Sequence, residues 1–414
     1  MTPFFASRWI TKPDHVTELP GSGLPQGFRA AGVACGIKPS GAQDLALLVS
    51  DVPETTSAAR FTRSGVLGAP VLLTMERSDL EHIRAVVVNS GNANTATGGM
   101  GLDNAAKMQG SAAIAAGVGS ERAVAVASTG VIGVQLPMYE VTRGIMAAAH
   151  ELAADGDQAF AAAIQTTDAF EKRARLQVEL PSGTVNLTAQ CKGAGMIQPG
   201  FATLLVFVQT DAAMSPETCD LLLGVTVKRS FERISVDGQL STSDTVILQA
   251  SGASNITIGP ETEDELRFGE ALDALMRQLA LLVAKDGEGA RRTGRVVVHG
   301  GSQELVESVA RAIANSPLVK TALYGGDPNW GRIAQAAGAA TAGLAPVPLD
   351  IAIEGVTVCA HGAARPFDAA ALTEAVQRDE VQYEVGLPGD GAETEVFFSD
   401  LGHEYVTINA DYTT

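Results

Sequence analysis

Cysteine, histidine and aromatic residues are scarce in this chain, and each scarcity closes off a kind of chemistry. The 414 residues include four cysteines, Cys35, Cys191, Cys219 and Cys359, far apart and in no Cys-x-x-Cys or Cys/His metal spacing. That argues against a zinc site and suits a reducing compartment. The six histidines are just as dispersed, with no His-Glu-x-x-His pair, so no metal is expected. Basic residues are outnumbered, 29 Lys and Arg against 47 Asp and Glu, for a formal charge of −18. Such a surface repels nucleic acid and anionic membranes, leaving small molecules or proteins as partners. No apolar run reaches the ~20 residues of a membrane span. The short patch Phe4 to Ala6 is soon followed by Arg8 and Lys12, unlike a signal peptide, so the expected location is the cytoplasm.

What the chain does have is small apolar residues. Its apolar share is 46% with aromatics at only 5%, enough for a sizeable, tightly packed core and too apolar for disorder. The first 30 residues, rich in Gly and Pro, read as an extended arm. Asp44 to Ser50, Arg84 to Ser90, Ala123 to Ala127, Ala202 to Val208 and Arg295 to His299 have the length and composition of buried strands. Arg175 to Leu180 and Val185 to Ala189 flank Pro181-Ser182-Gly183 and predict a hairpin. Helices are predicted over Asp103 to Gly117, most of Leu136 to Ala163, Pro216 to Glu232, Ser302 to Ala314 and Thr262 to Val283, the last opened by the capping-box spacing of Thr262 and Glu265. Near the end, Tyr405, Val406 and Ile408 predict a terminus tied into a sheet. Strands and helices interleave without a repeat period or a low-complexity linker, so the class is α/β or mixed α+β.

One stretch carries chemistry. From Lys192 to Gly200 a glycine-dense loop leads to Ala202-Thr203 and the apolar run Leu204 to Val208. A threonine at the mouth of a buried strand is rigid, because its branched Cβ restricts χ1, and a nucleophile must be held about 3–3.5 Å from its target carbon. Its hydroxyl is a weak nucleophile that needs a base, and one solution is a free amine on the same residue. That solution requires a cut just before it, where Ala202 leaves the preceding carbonyl accessible. By itself, a threonine in such a run is a strand former, and Gly193-Ala194-Gly195 fits neither a dinucleotide-binding nor a Walker sequence.

The run Lys192 to Asp211 resembles the signature of the ornithine acetyltransferase (ArgJ-type) family. So do Ala127 to Gly133, Ser235 to Thr245, Lys285 to Gly289, Asp327 to Arg332 and Ile408 to Thr414, in the family's order and over essentially the whole chain. The resemblance implies a layered α-β-β-α-like sandwich of the N-terminal-nucleophile type. It implies self-cleavage at Ala202–Thr203 into pieces 1–202 and 203–414, which assemble as an α2β2 heterotetramer. The implied reaction is acetyl transfer from N2-acetylornithine to glutamate through an acetyl-Thr203 ester, in arginine biosynthesis. Thr129 and Gly130 are the implied oxyanion donors. The implied substrate contacts are Thr166 or Thr167 (the first favoured), Lys192, Thr203, Glu288, Asn409 and Thr414. No cofactor is implied, with acetyl-CoA an alternative acetyl donor. Gly200, Phe201, Gln239, Leu240 and Arg291 depart from the family's usual residues. The competing readings are an amidase or aminopeptidase with the same kind of nucleophile, an acetyltransferase of specialised metabolism with other amino-acid substrates, and a non-catalytic binding protein.

Overall fold

The computed structural model describes residues 3–198, 204–344 and 346–411. Two sheets stack face to face at its centre. One has six strands in the order Val16–Glu18, Lys172–Leu180, Gly183–Lys192, Leu205–Thr210, Thr245–Ala250, Thr56–Phe61. The other has four, in the order Phe28–Val33, Leu45–Ser50, Ala85–Asn92, Val124–Val131. Period-two alternation explains how apolar strands serve two cores at once. Leu205, Phe207 and Ile247 point into the layer between the sheets, where they meet Leu48, Val86, Val88 and Ala127. Val206, Val208, Val246 and Leu248 point outward to a helical layer supplied by Pro216–Arg229 and Glu263–Lys285. On the opposite side, Leu45, Leu47, Val49 and Val87 pack against Ala69–Arg77, Gly98–Ala116 and Met138–His150. The result is the expected α-β-β-α layering.

The long helix Glu263–Lys285 is set by its ends. Thr262 accepts the Glu265 N–H at 3.2 Å, and Glu265 accepts the Glu261 N–H at 2.6 Å. Three acids occupy its first turn and Lys285 its last, matching the helix dipole. A seven-stranded sheet, in which Thr293–His299 lies between Glu393–Ser399 and Glu380–Gly386, forms an adjoining α/β module with its own core under Gln303–Asn315 and Pro317–Gly325. Strand Glu393–Ser399 joins the two parts, since Phe397 belongs to the sandwich core and Phe398 to the module core.

Three expectations need correction. The predicted arm is only partly free of structure, because Val16–Glu18 pairs with Leu176–Val178 and Phe28 opens the edge strand of the four-stranded sheet. The helical stretch expected over 136–163 divides into Met138–His150 and Asp157–Ile164, with Asp155-Gly156 in the turn between them. The stretch holding Tyr405, Val406 and Ile408 is not a strand: His403–Asp411 is a helix. The reason is spacing. A strand would put Tyr405 and Asn409 on one face with Thr407, whereas the helix sets them one turn apart toward the same cavity and leaves Val406 67% exposed.

Candidate functional site

A cavity of about 170 Å³ opens where the two central sheets meet the carboxyl-terminal helix. Its walls include Thr129, Gly130, Thr166, Thr167, Lys192, Glu288 and Asn409, residues up to 280 positions apart in sequence that the resemblance assigns to one site. Thr203, Ala202 and Thr414 lie outside the described residues. A larger cleft of about 610 Å³, lined by Arg60, Arg63, Glu232, Arg311 and others, contains none of the expected residues.

Each wall has a local cause. Thr129 and Gly130 end the strand Val124–Val131, which runs parallel to Ala85–Asn92, and the register slips at Asn92. Gly130 has φ +132°, and a Cβ there would fall 2.3 Å from the Gly91 carbonyl carbon, so no other residue fits. Lys192 ends the strand Gly183–Lys192. It is 2% exposed, and among the described residues its Nζ donates to the Thr129 hydroxyl alone, at 3.4 Å. Burial pulls its pKa below the ordinary lysine value, against Asp168, which raises it. A buried ammonium with one long hydrogen bond is a ready partner for an anion entering the cavity.

Glu288 follows the long helix and is tied to the glycine loop, its N–H donating to the Ala194 carbonyl at 3.0 Å. Its Oε2 accepts from Asn409 Nδ2 at 2.6 Å. Cation-binding and anion-binding groups, Glu288 and Lys192, thus share one small cavity, a layout suited to an amino acid with charges at both ends.

Sequence reasoning missed the groups that hold these walls. Asp168, buried, accepts the Thr166 N–H at 3.0 Å, the Gly193 N–H at 2.8 Å and the Lys172 ammonium at 2.8 Å. Asp237 accepts the Met196 and Ile197 N–H groups at 2.7 and 2.9 Å and the Tyr405 hydroxyl at 3.2 Å. Asp237 lies in one of the stretches that carry the resemblance and Asp168 directly follows Thr166-Thr167, yet two bonds of each are to backbone N–H groups, which leave no residue-type signal. Gln239, one of the departures, also lines the cavity. At the strand mouth, Leu204 is 1% exposed and its N–H donates to Asp244 Oδ1 at 3.0 Å.

A family model described as the ArgJ family matches residues 29–414. The chain is 41% identical over 394 residues to the arginine biosynthesis bifunctional protein ArgJ of Symbiobacterium thermophilum, a match covering 94% of this chain and 98% of that one. It is 43% identical over 398 residues to the protein of the same name from Rhodopirellula baltica, covering 94% of this chain and 96% of that one. Among solved structures, the ornithine acetyltransferase of Mycobacterium tuberculosis complexed with ornithine is 37% identical, covers 46% of this chain and 99% of that chain, and has a TM-score of 0.41. With the family model and relatives matched over nearly their whole length in agreement, this chain belongs to the ArgJ family.

Proposed function

We propose that this chain cuts itself between Ala202 and Thr203 and then moves acetyl groups from N2-acetylornithine to glutamate, within arginine biosynthesis. The observation that carries the reading is the convergence of Thr129, Gly130, Lys192, Glu288 and Asn409 on one cavity, beside the strand that Leu204 leads into. In the first stage the Thr203 hydroxyl attacks the Ala202 carbonyl, the peptide becomes an ester, and water hydrolyses it to a free Thr203 amine and an Ala202 carboxylate. In the second, that amine takes the Thr203 hydroxyl proton, the oxygen attacks the acetyl carbonyl, and ornithine leaves as a free amine. Glutamate's amine then attacks the acetyl ester and restores the hydroxyl. Thr129 and Gly130 donate to the oxyanion of each tetrahedral intermediate, the kind of contact worth ~2.7–4 kcal/mol per donor. Lys192 holds the α-carboxylate and Glu288 the side-chain ammonium of ornithine. Thr166 or Thr167, Asn409 and Thr414 complete the substrate contacts.

The pieces 1–202 and 203–414 have reason to stay together, because strand Leu205–Thr210 pairs with Gly183–Lys192 on one side and the six-stranded sheet takes strands from both. Two copies of each make the α2β2 assembly that a sizing column would read. No cofactor enters this scheme. Denaturing electrophoresis with N-terminal sequencing tests it: two fragments are expected, the smaller-numbered ending at Ala202 and the other beginning Thr203-Leu204-Leu205, with acetylornithine turnover dependent on glutamate. A single intact active chain would end the reading, turnover by water alone would make it an amidase, and turnover with acetyl-CoA would add a second donor.

The glycine at 195 offers a finer test. A Cβ there would lie 2.6 Å from the Glu288 carboxyl carbon and 2.7 Å from each of its oxygens. The carboxylate is the free end of a flexible side chain, so the fold tolerates Gly195→Ala while Glu288 swings away from its post. The expected outcome is an acetylornithine KM raised about tenfold, the loss of one charged hydrogen bond, with a nearly unchanged melting temperature. An unaltered KM would remove Glu288 from the substrate contacts.

A further inference from the structure

We propose that Lys38 is a positioning residue for the substrate wall formed by Thr166 and Thr167: its ammonium holds the peptide that enters that wall, and its stem backs Gly130 on another. This role rests on the acetyl-transfer reading above.

The argument turns on one peptide unit. The Lys38 ammonium donates to the Gln165 carbonyl at 2.7 Å, and the Thr166 N–H donates to Asp168 Oδ2 at 3.0 Å. The Gln165 carbonyl and the Thr166 N–H belong to the same planar unit, so it is gripped at both of its polar groups, from opposite edges. With that plane fixed, the Thr166 Cα is fixed as well, since that atom lies in it. The grip matters here because the segment falls between the helix Asp157–Ile164 and the strand Lys172–Leu180, outside both elements. Thr166 and Thr167 line the cavity, while Lys38 stands behind them and lines none of it.

Lys38 is itself held in place. The N–H groups of Cys35, Gly36, Ile37 and Lys38 all donate to the Asp44 carboxylate, at 2.7, 3.2, 2.6 and 2.9 Å, and Asp44 is fully buried. The Asp44 carbonyl accepts the Ser90 N–H at 2.9 Å, which ties this cradle to the strand Ala85–Asn92. A second bond of the ammonium, to the Gln43 carbonyl at 2.7 Å, closes the loop on itself. The stem lies against Gly91, where a Cβ would fall 3.1 Å from Lys38 Cγ. Gly91 pairs with Gly130, a wall of the cavity. One lysine therefore stands behind two walls. Burial pulls its pKa below the ordinary lysine value, Asp44 and Asp168 oppose that fall, and Lys192 adds to it. Its own hydrogen bonds go to neutral carbonyls, which leaves an anion in the cavity to Lys192.

Lys38→Met separates positioning from a merely structural role, because it keeps a stem against Gly91 and removes the donor to Gln165. The expected result is a chain cut like the wild type, with KM for acetylornithine raised about tenfold and kcat within about twofold. Hydrogen exchange at the Thr166 amide should quicken, since Asp168 alone then holds that peptide. Lys38→Arg keeps a donor and should recover most of the KM. In a chain already carrying Thr166→Ala and Thr167→Ala, Lys38→Met should raise KM no further, because a residue that acts through those threonines has nothing left to position. A Met variant left uncut, or one with unchanged KM or exchange, would overturn the assignment. So would a kcat that falls as far as KM rises, an Arg variant no better than Met, or an effect undiminished in the double-threonine background. A wild-type chain without glutamate-dependent acetyl transfer would end the parent reading; a wild type that transfers, with any of those outcomes in the variants, ends this inference alone.

Discussion

Replacing Thr203 with alanine should leave the chain as one polypeptide of 42.7 kDa and lower glutamate-dependent acetyl transfer by about 10⁴-fold or more. Both effects come from one oxygen atom. Without the hydroxyl, nothing at position 203 can attack the Ala202 carbonyl, so the amine proposed above as the base would never be released. Even a chain cut by other means would have no atom to carry the acetyl group. The fold has little reason to change, because the neighbouring strand Leu205–Thr210 keeps both its partners and Leu204 keeps its hydrogen bonds to Asp244 and Thr245. Thr203→Ser is the companion variant. It retains the oxygen but gives up the branched Cβ that restricts χ1, so it should cut itself more slowly and keep part of the activity. Electrophoresis of both variants beside the wild type, with the transfer assay on the same samples, reads the result. An alanine variant found in two fragments, or one with undiminished turnover, removes Thr203 from the chemistry.

Much of the sandwich was readable from the sequence because its strands are short, apolar and bounded by turn residues. Leu205 to Val208 look alike in composition, yet alternate residues fill two different cores, which is what a strand covered on both faces requires. The helix opened by Thr262 was equally legible, because an N-cap is a local bond between residue types. The order of strands in the sheets was not legible, since pairing is decided by contacts far apart in sequence. The terminal helix was misread because Tyr405, Val406 and Ile408 are too few to separate a period of 2 from one of 3.6. What settles it is a tertiary bond from the Tyr405 hydroxyl to Asp237.

The site divides along the same line. Its wall residues came from a resemblance, and the described ones converge on one cavity. The carboxylates behind them, Asp168 and Asp237, could not be found by residue type, because their work is to accept backbone N–H groups that every sequence has. Such groups decide whether a catalytic set is held within a fraction of an ångström.

The Asp168 group also carries the largest expected effect on stability, through Lys172→Met. Lys172 has no exposed side-chain surface and lies between the carboxylates of Asp168 and Asp286, both also buried, with the Phe170 ring 4.9 Å away. Burial lowers the lysine pKa, but the two carboxylates outweigh it and the net shift is upward. The carboxylates themselves shift in opposite directions. Burial raises Asp168, yet two ammonium groups, Lys192 and Lys172, bring it well below the usual range. Burial raises Asp286 and Lys172 alone does not offset it, with the negative Asp168 nearby adding to the rise. A raised lysine stabilises the fold below its unfolded pKa of ~10.4 and loses that contribution as pH climbs through the folded value. The depressed Asp168 stabilises above its unfolded pKa of ~3.9 and loses that contribution as pH falls through its folded value. Both contributions are present at neutral pH. Taking away the ammonium leaves two buried carboxylates facing each other, and breaking a buried pair in this way costs about 3–5 kcal/mol. Denaturant unfolding should record that loss, and Lys172→Met combined with Asp286→Asn should recover part of it, because the second change removes one of the stranded charges. The single variant should also loosen the Thr166 and Gly193 backbone that Asp168 anchors, raising KM for acetylornithine along with the loss of stability. A Lys172→Met protein as resistant to denaturant as the wild type would mean that the two carboxyls share a proton without it, and that the ion cluster does not hold the floor of the cavity.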